Sequence, residues 1–88
     1  MDEYDVYFRP SADKALLKLP AKMQRRIVTA VEALCTDPRP EGWVKLEGEE
    51  NLWRIRVGQY RMVYTIQDEE LIVLVVRVAH RKDVYRGM

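Results

Sequence analysis

The chain has 88 residues, 48% of them hydrophobic, and sets 15 Lys and Arg against 14 Asp and Glu for a formal net charge of +1. That length supports one hydrophobic core and not two, the composition is not that of a disordered segment, and no run of about 18 apolar residues offers a membrane span. The single cysteine, Cys35, excludes an intrachain disulfide and fits a reducing cytoplasm, and the near-neutral total means that any nucleic-acid partner must be sought in the distribution of charge.

The chain opens on "MDEYDVYF", acidic and alternating, unlike a secretory signal peptide. Residues 4–8 alternate Tyr4, Val6 and Phe8 against Asp5 and Tyr7, which predicts a strand with one buried face. Pro10 ends it, and Ser11 is placed to cap a helix over "SADKALLKL", with Leu16, Leu17 and Leu19 as its apolar side. Pro20 starts a second helix, in which Met23, Ile27, Ala30, Val31 and Leu34 recur every three or four residues as one buried stripe. Cys35 sits at the edge of that stripe and reads as a small buried hydrophobe. Lys14, Lys18, Lys22, Arg25 and Arg26 make the outer side of this helical hairpin basic. "DPRP", residues 37–40, stops it.

From residue 43 the period changes to two. "WVKLEG" is a short strand or an irregular approach to one. "LWRIRV" (52–57) and "YRMVYTI" (60–66) are strands joined by Gly58-Gln59, where a leading glycine suits a type II′ turn. "LIVLVVRV" (71–78) is apolar enough for a central strand covered on both sides. The order predicts a single α+β domain over residues 1–88: an N-terminal strand, a helical hairpin, then a twisted antiparallel sheet of three to four strands.

Register sharpens the hairpin. With Gly58 and Gln59 as loop, Val57 faces Tyr60, Arg56 faces Arg61 and Arg54 faces Val63. Trp53, Ile55, Val57, Tyr60, Met62 and Tyr64 then share the helix side, and Arg54, Arg56 and Arg61 share the other. Directly opposed like charges cost roughly 0.2–1 kcal/mol per pair, a cost that a face built to hold an anion tolerates. The plainer reading is a solvated face, with acids from "EGEE" or "DEE" folding back over it. The tail "RVAHRKDVYRGM" adds Arg77, the chain's one histidine His80, Arg81, Lys82, Tyr85 and Arg86. Cations, a stacking ring and a group that moves a proton are what phosphates and bases call for. A basic, frayed terminus anchored by Tyr85 is the ordinary alternative. One cysteine and one histidine make a poor zinc site, and no glycine-rich phosphate loop is present.

The hairpin followed by "HRKDVYR" (80–86), with "FRPSADKALLKLP" at the front and "KLEG" at 45–48, resembles the RelE/ParE superfamily of bacterial and archaeal toxins over nearly the whole chain, the RelE branch in particular. The resemblance implies a RelE-like fold, in which a helical hairpin packs on a twisted antiparallel sheet. It also implies the toxin of a type II toxin–antitoxin pair: a ribosome-dependent mRNA endonuclease that enters the A site. There the ribose 2′-hydroxyl attacks its own 3′-phosphate, with no metal and no cofactor. Carried over position by position, Arg54 and Arg56 match the family's two basic residues on the first hairpin strand. Arg61 matches its hairpin arginine, Arg81 its late arginine and Tyr85 its late tyrosine. Arg61 with Arg56 would hold the scissile phosphate, Arg81 the leaving 5′-oxygen, Arg54 the nascent 2′-alkoxide and Tyr85 a codon base or a proton. Where some members carry lysines on that strand this chain has arginines, which are poor bases. The base is then His80, Tyr85 or a group of the ribosome. Lys45, Arg77, Lys82 and Arg86 are expected to bind RNA. The implied partners are an antitoxin encoded nearby, the ribosome and mRNA, and no membrane. The competing reading is a ParE-like poison of DNA gyrase without nuclease activity; a third is a decayed toxin kept as a binding module.

Overall fold

Five strands and two helices follow one another in the computed structural model, which describes residues 3–46 and 51–83. They are β1 (Asp5–Phe8), α1 (Pro10–Leu17), α2 (Ala21–Thr36), β2 (Val44–Lys45), β3 (Trp53–Val57), β4 (Tyr60–Gln67) and β5 (Ile72–His80). The α+β class and the helical hairpin agree with the sequence reading. The antiparallel strands β2 to β5 are joined by β1, which adds to the same sheet parallel to β5, in the order β1-β5-β4-β3-β2.

Both helices lie on one side of this sheet. Ile27 and Leu34 of α2 and Ala12 of α1 pack onto Trp53, Val57, Met62, Tyr64, Ile66, Val73, Val75 and Val78. Val6 and Phe8 close the core from β1. Two details of α1 depart from expectation. Pro10 does not end a strand short of the helix but is its first residue, where a missing N–H costs nothing; the cap position is Arg9, and Ser11 makes no capping bond. Leu17 is 65% exposed, so the buried side of α1 is Ala12, Ala15 and Leu16. No helix or strand among the described residues lies over the other face of the sheet. Ile72 and Leu74 are only half-buried there, so β5 is an interior strand in sheet order but is covered on one side.

The β3–β4 hairpin has the expected register: Val57 opposite Tyr60, Arg56 opposite Arg61, Arg54 opposite Val63. Gly58 has φ +60°, and Gln59 is not among the positive-φ residues, as a type II′ turn requires. A Cβ at Gly58 would also come within 2.9 Å of Arg26 Nη1, because that guanidinium lies across the turn. Between β4 and β5 the register shifts at Val63/Tyr64, leaving Val76 as an extra residue. Such a bulge bends the strand and increases its local twist.

At the end of the sheet far from the hairpin turn, Arg39 grips Asp68 with both terminal nitrogens (3.2 and 3.0 Å), and the Tyr4 hydroxyl donates to Asp68 Oδ1 at 2.6 Å. The bonds from Arg39 and then Tyr4 hold the Asp68 carboxyl below the usual carboxylate range. A depressed carboxylate contributes stability above its unfolded pKa of about 3.9 and loses it as pH falls through the lower folded value. Asp68→Asn is therefore expected to lower the urea midpoint at pH 7 and to flatten the fall in stability below about pH 4. Parallel acid profiles for the two proteins would contradict this.

Candidate RNA-binding face

The side of the sheet away from the helices gathers the arginines. Strand pairing gives two adjacent rows across it. One row reads Arg77–Val63–Arg54–Val44 across β5, β4, β3 and β2; the next reads Ala79–Arg61–Arg56 across β5, β4 and β3. Neighbouring strands lie about 4.8 Å apart and alternate residues along a strand about 6.8 Å apart. Four guanidinium stems thus rise from a patch roughly 10 by 7 Å across, with no acid in either row. Val63, at its centre, is 0% exposed yet stands outside the main core cluster. Its row neighbours are Arg54 and Arg77, and long charged side chains can cover apolar surface while keeping their heads outward.

The heads are held to different degrees. Arg56 is exposed, while Arg54, Arg61 and Arg77 are half-buried. Arg61 Nη1 donates to the Tyr60 carbonyl at 3.3 Å, and Arg77 Nη2 to the Asp83 carbonyl at 3.0 Å. Three buried side-chain polar atoms find no hydrogen-bond partner among the described residues: Arg54 Nε, Arg77 Nε and Thr65 Oγ1. All three lie on this face, because Thr65 follows Val63 by two along β4. A buried donor left unmet costs about 1–3 kcal/mol, so a group of three on one surface marks a place where the described residues supply no acceptor. Asp68, the acid of "DEE" that makes side-chain bonds, is held by Arg39 and Tyr4 at the opposite end and does not shield the patch.

The remaining expected residues divide. Arg81 follows β5 directly, and its backbone N–H donates to the Gln59 carbonyl at 2.8 Å, so its Cα is fixed beside the hairpin turn at the Arg56–Arg61 end. Lys82 is exposed next to it, and its backbone N–H meets His80 Nδ1 at 3.3 Å. His80 itself is paired with Tyr60 and lies on the helix side, its ring edge-on to Tyr60 at 5.5 Å between centroids. It does not share a face with the arginines. Lys45 also lies on the helix side, opposite Trp53 and 5.8 Å from its ring, so the structure does not join it to the patch. Tyr85 and Arg86, and the "EGEE" acids, lie outside the described residues. The sequence reading set Arg77 among peripheral RNA contacts, whereas register makes it a full member of the patch. Carrying the hairpin register one strand further would have found it, but the bulge at Val63/Tyr64 breaks that count.

Residues 6–85 match the family described as the ParE toxin of the type II toxin–antitoxin system parDE. The chain is 34% identical over 84 residues to Toxin RelG of Mycobacterium tuberculosis, covering 94% of this chain and 97% of that one. Among solved structures it is similar to the archaeal RelE–RelB complex from Pyrococcus horikoshii, with a TM-score of 0.80 at 29% identity over 89% of this chain and 94% of that one. It is also similar to the toxin–antitoxin complex RelBE2 of Mycobacterium tuberculosis, with a TM-score of 0.77 at 33% identity over 90% of this chain and 99% of that one.

Proposed function

The chain belongs to the RelE/ParE superfamily of type II toxins, in its RelE-like branch, and from that premise we propose that it is a ribosome-dependent mRNA endonuclease. The observation that carries this reading is the four-arginine patch on the sheet face away from the helices, where Arg54 Nε and Arg77 Nε find no acceptor among the described residues. Fork-shaped guanidinium contacts suit a phosphate whose charge grows as it is attacked. In the proposed reaction the mRNA ribose 2′-oxygen attacks the adjacent 3′-phosphorus and the bond to the 5′-oxygen breaks. The products are a 2′,3′-cyclic phosphate and, once the leaving 5′-oxygen has taken a proton from water, a 5′-hydroxyl. Arg56 and Arg61 stabilise the phosphorane, Arg54 the nucleophilic oxygen and Arg81 the leaving oxygen. Tyr85 positions a base or moves a proton. His80 faces away from the patch, so the proton from the 2′-hydroxyl goes to Tyr85 or to a ribosomal group. Lys82 and Arg86 extend the RNA contact beyond β5. The reaction needs no cofactor and takes place on cytoplasmic ribosomes.

The relatives solved as RelE–RelB complexes support a cognate antitoxin for this chain; in this proposal it is encoded nearby and presents an acidic or amphipathic segment that covers the basic face or packs in a groove on the fold. No helix among the described residues is long and apolar enough to cross a membrane. Primer extension on mRNA in a purified translation system tests the activity. Cuts within A-site codons that need ribosomes are expected from wild type and not from Arg81→Ala. Intact mRNA from a protein that still arrests growth would overturn the nuclease reading and direct attention to DNA gyrase.

A further inference from the structure

Among the described residues, the arginines of this face gather at its hairpin end. Toward β1 its character changes. Val6 and Phe8 pack into the core, so Tyr7 between them projects to the bare side, where it is 54% exposed. Register aligns Tyr7 with Leu74 and Thr65 in the row next to Arg77–Val63–Arg54, and Asp5, Ile72 and Gln67 form the row beyond. The face therefore runs from cations, through one exposed ring beside a half-buried leucine, to an acid at its margin. An exposed tyrosine alone is ordinary. What distinguishes Tyr7 is its place in the row of Thr65, whose hydroxyl is unmet among the described residues, next to the row that holds the two unmet arginine donors.

We propose that Tyr7 is a stacking platform for a base of the bound single-stranded RNA, whose phosphates lie on the arginines. This rests on the nuclease reading and deepens it, since it gives the RNA a path across the sheet from Arg61, past Arg77, to β1. On ideal sheet spacings Tyr7 lies roughly 15–17 Å from Arg61 between Cα atoms, so it meets a nucleotide flanking the cut and not the cut itself. Sheet faces hold unstacked bases on aromatic rings with cations beside them for the phosphates, and Arg77 and Tyr7 supply that pair on adjacent strands. Every base has a π face, so Tyr7 contributes affinity and positioning without choosing the codon. The ring is the working part and the hydroxyl is dispensable. Asp5 in the next row repels the backbone and ends the track. An acidic antitoxin segment could cover the same surface, but it would have no use for a ring that accepts bases in particular.

The test is binding of a short single-stranded RNA, 2′-O-methylated throughout so that it cannot be cut, against the same strand with abasic positions. Wild type, Tyr7→Phe and Tyr7→Ala are compared at several salt concentrations. Wild type and Tyr7→Phe are expected to lose about 5- to 150-fold in affinity when the stacked base is removed. Tyr7→Ala should bind intact RNA as weakly as wild type binds the abasic strand, with an unchanged salt slope and an unchanged Tm. Equal affinity for both strands in wild type, no binding at low salt, or a Tyr7→Ala variant that weakens only for the antitoxin would each overturn the proposal. Failure of the nuclease reading is distinguishable: base-dependent binding through Tyr7 would persist while mRNA on ribosomes stayed whole.

Discussion

Arg61→Ala is expected to slow ribosome-dependent cleavage about 100- to 1000-fold, with most of the loss in kcat, the scale found when one donor to a developing oxyanion is removed. Arg56→Ala should do nearly the same, because the two side chains stand directly opposite each other and would share one phosphate. Residues that act as a unit are not additive, so the double variant should fall little below either single one. Arg61→Lys keeps the charge but loses the fork and should recover only part of the rate. Stability separates this from a folding defect. Arg56 is exposed and faces another cation, so its truncation should shift the unfolding free energy by no more than about 0.5 kcal/mol. Single-turnover cleavage on programmed ribosomes, paired with urea denaturation, reads both quantities. Wild-type rates from Arg56→Ala and Arg61→Ala would remove these residues from the chemistry.

What the sequence made legible here was local. The glycine of the hairpin turn fixed the loop, and a fixed loop fixes every pair along β3 and β4, so the arginine face could be read from residues 52–66 alone. The α2 stripe through Ile27 and Leu34 was legible for the same reason, since a periodic pattern states which side is buried. Contacts between distant segments were not. Nothing in "YDVYF" says that its neighbour is β5, 67 residues later by the pairing of Asp5 with Ile72, nor that the pairing is parallel, so Tyr7 could not be placed beside the arginines. Alternation also stops being a guide at a bulge or beyond a strand end. That is why Arg77 was underrated, and why His80, which follows the cluster in sequence, lies across the sheet from it. Leu17 shows a further limit: Leu16 and Leu17 are adjacent in α1 and cannot both face the sheet, and spacing alone did not say which would turn outward, nor that the helix stops at Leu17 short of Leu19.

Tyr64 is where the fold should respond most sharply to alkali. It is fully buried on the helix side of β4, and its hydroxyl donates at 2.9 Å to the carbonyl of Pro38, just past the end of α2. One side chain thus ties the sheet to the segment leading into β2. Burial pushes its pKa up from 10.0 to about 12, since the phenolate would have to form away from water. A folded pKa above the unfolded one means that the contribution is fully present below pH 10 and is lost as pH rises from 10 to 12. A difference of about two units corresponds to about 2–3 kcal/mol. Tyr64→Phe removes both the bond and the titration. At pH 7 it should cost about 1–3 kcal/mol, because the Pro38 carbonyl is left unmet in a buried setting. The gap between wild type and Tyr64→Phe should then shrink by about 2–3 kcal/mol on going to pH 12. Tyr4, whose pKa is also raised, by its bond to Asp68, titrates in both proteins and cancels in that difference. Urea unfolding of the pair at pH 7, 10 and 12 measures it. A gap that stays constant with pH would mean that Tyr64 ionises as readily in the folded chain as in the unfolded one, and that its hydroxyl does not hold α2 to the sheet.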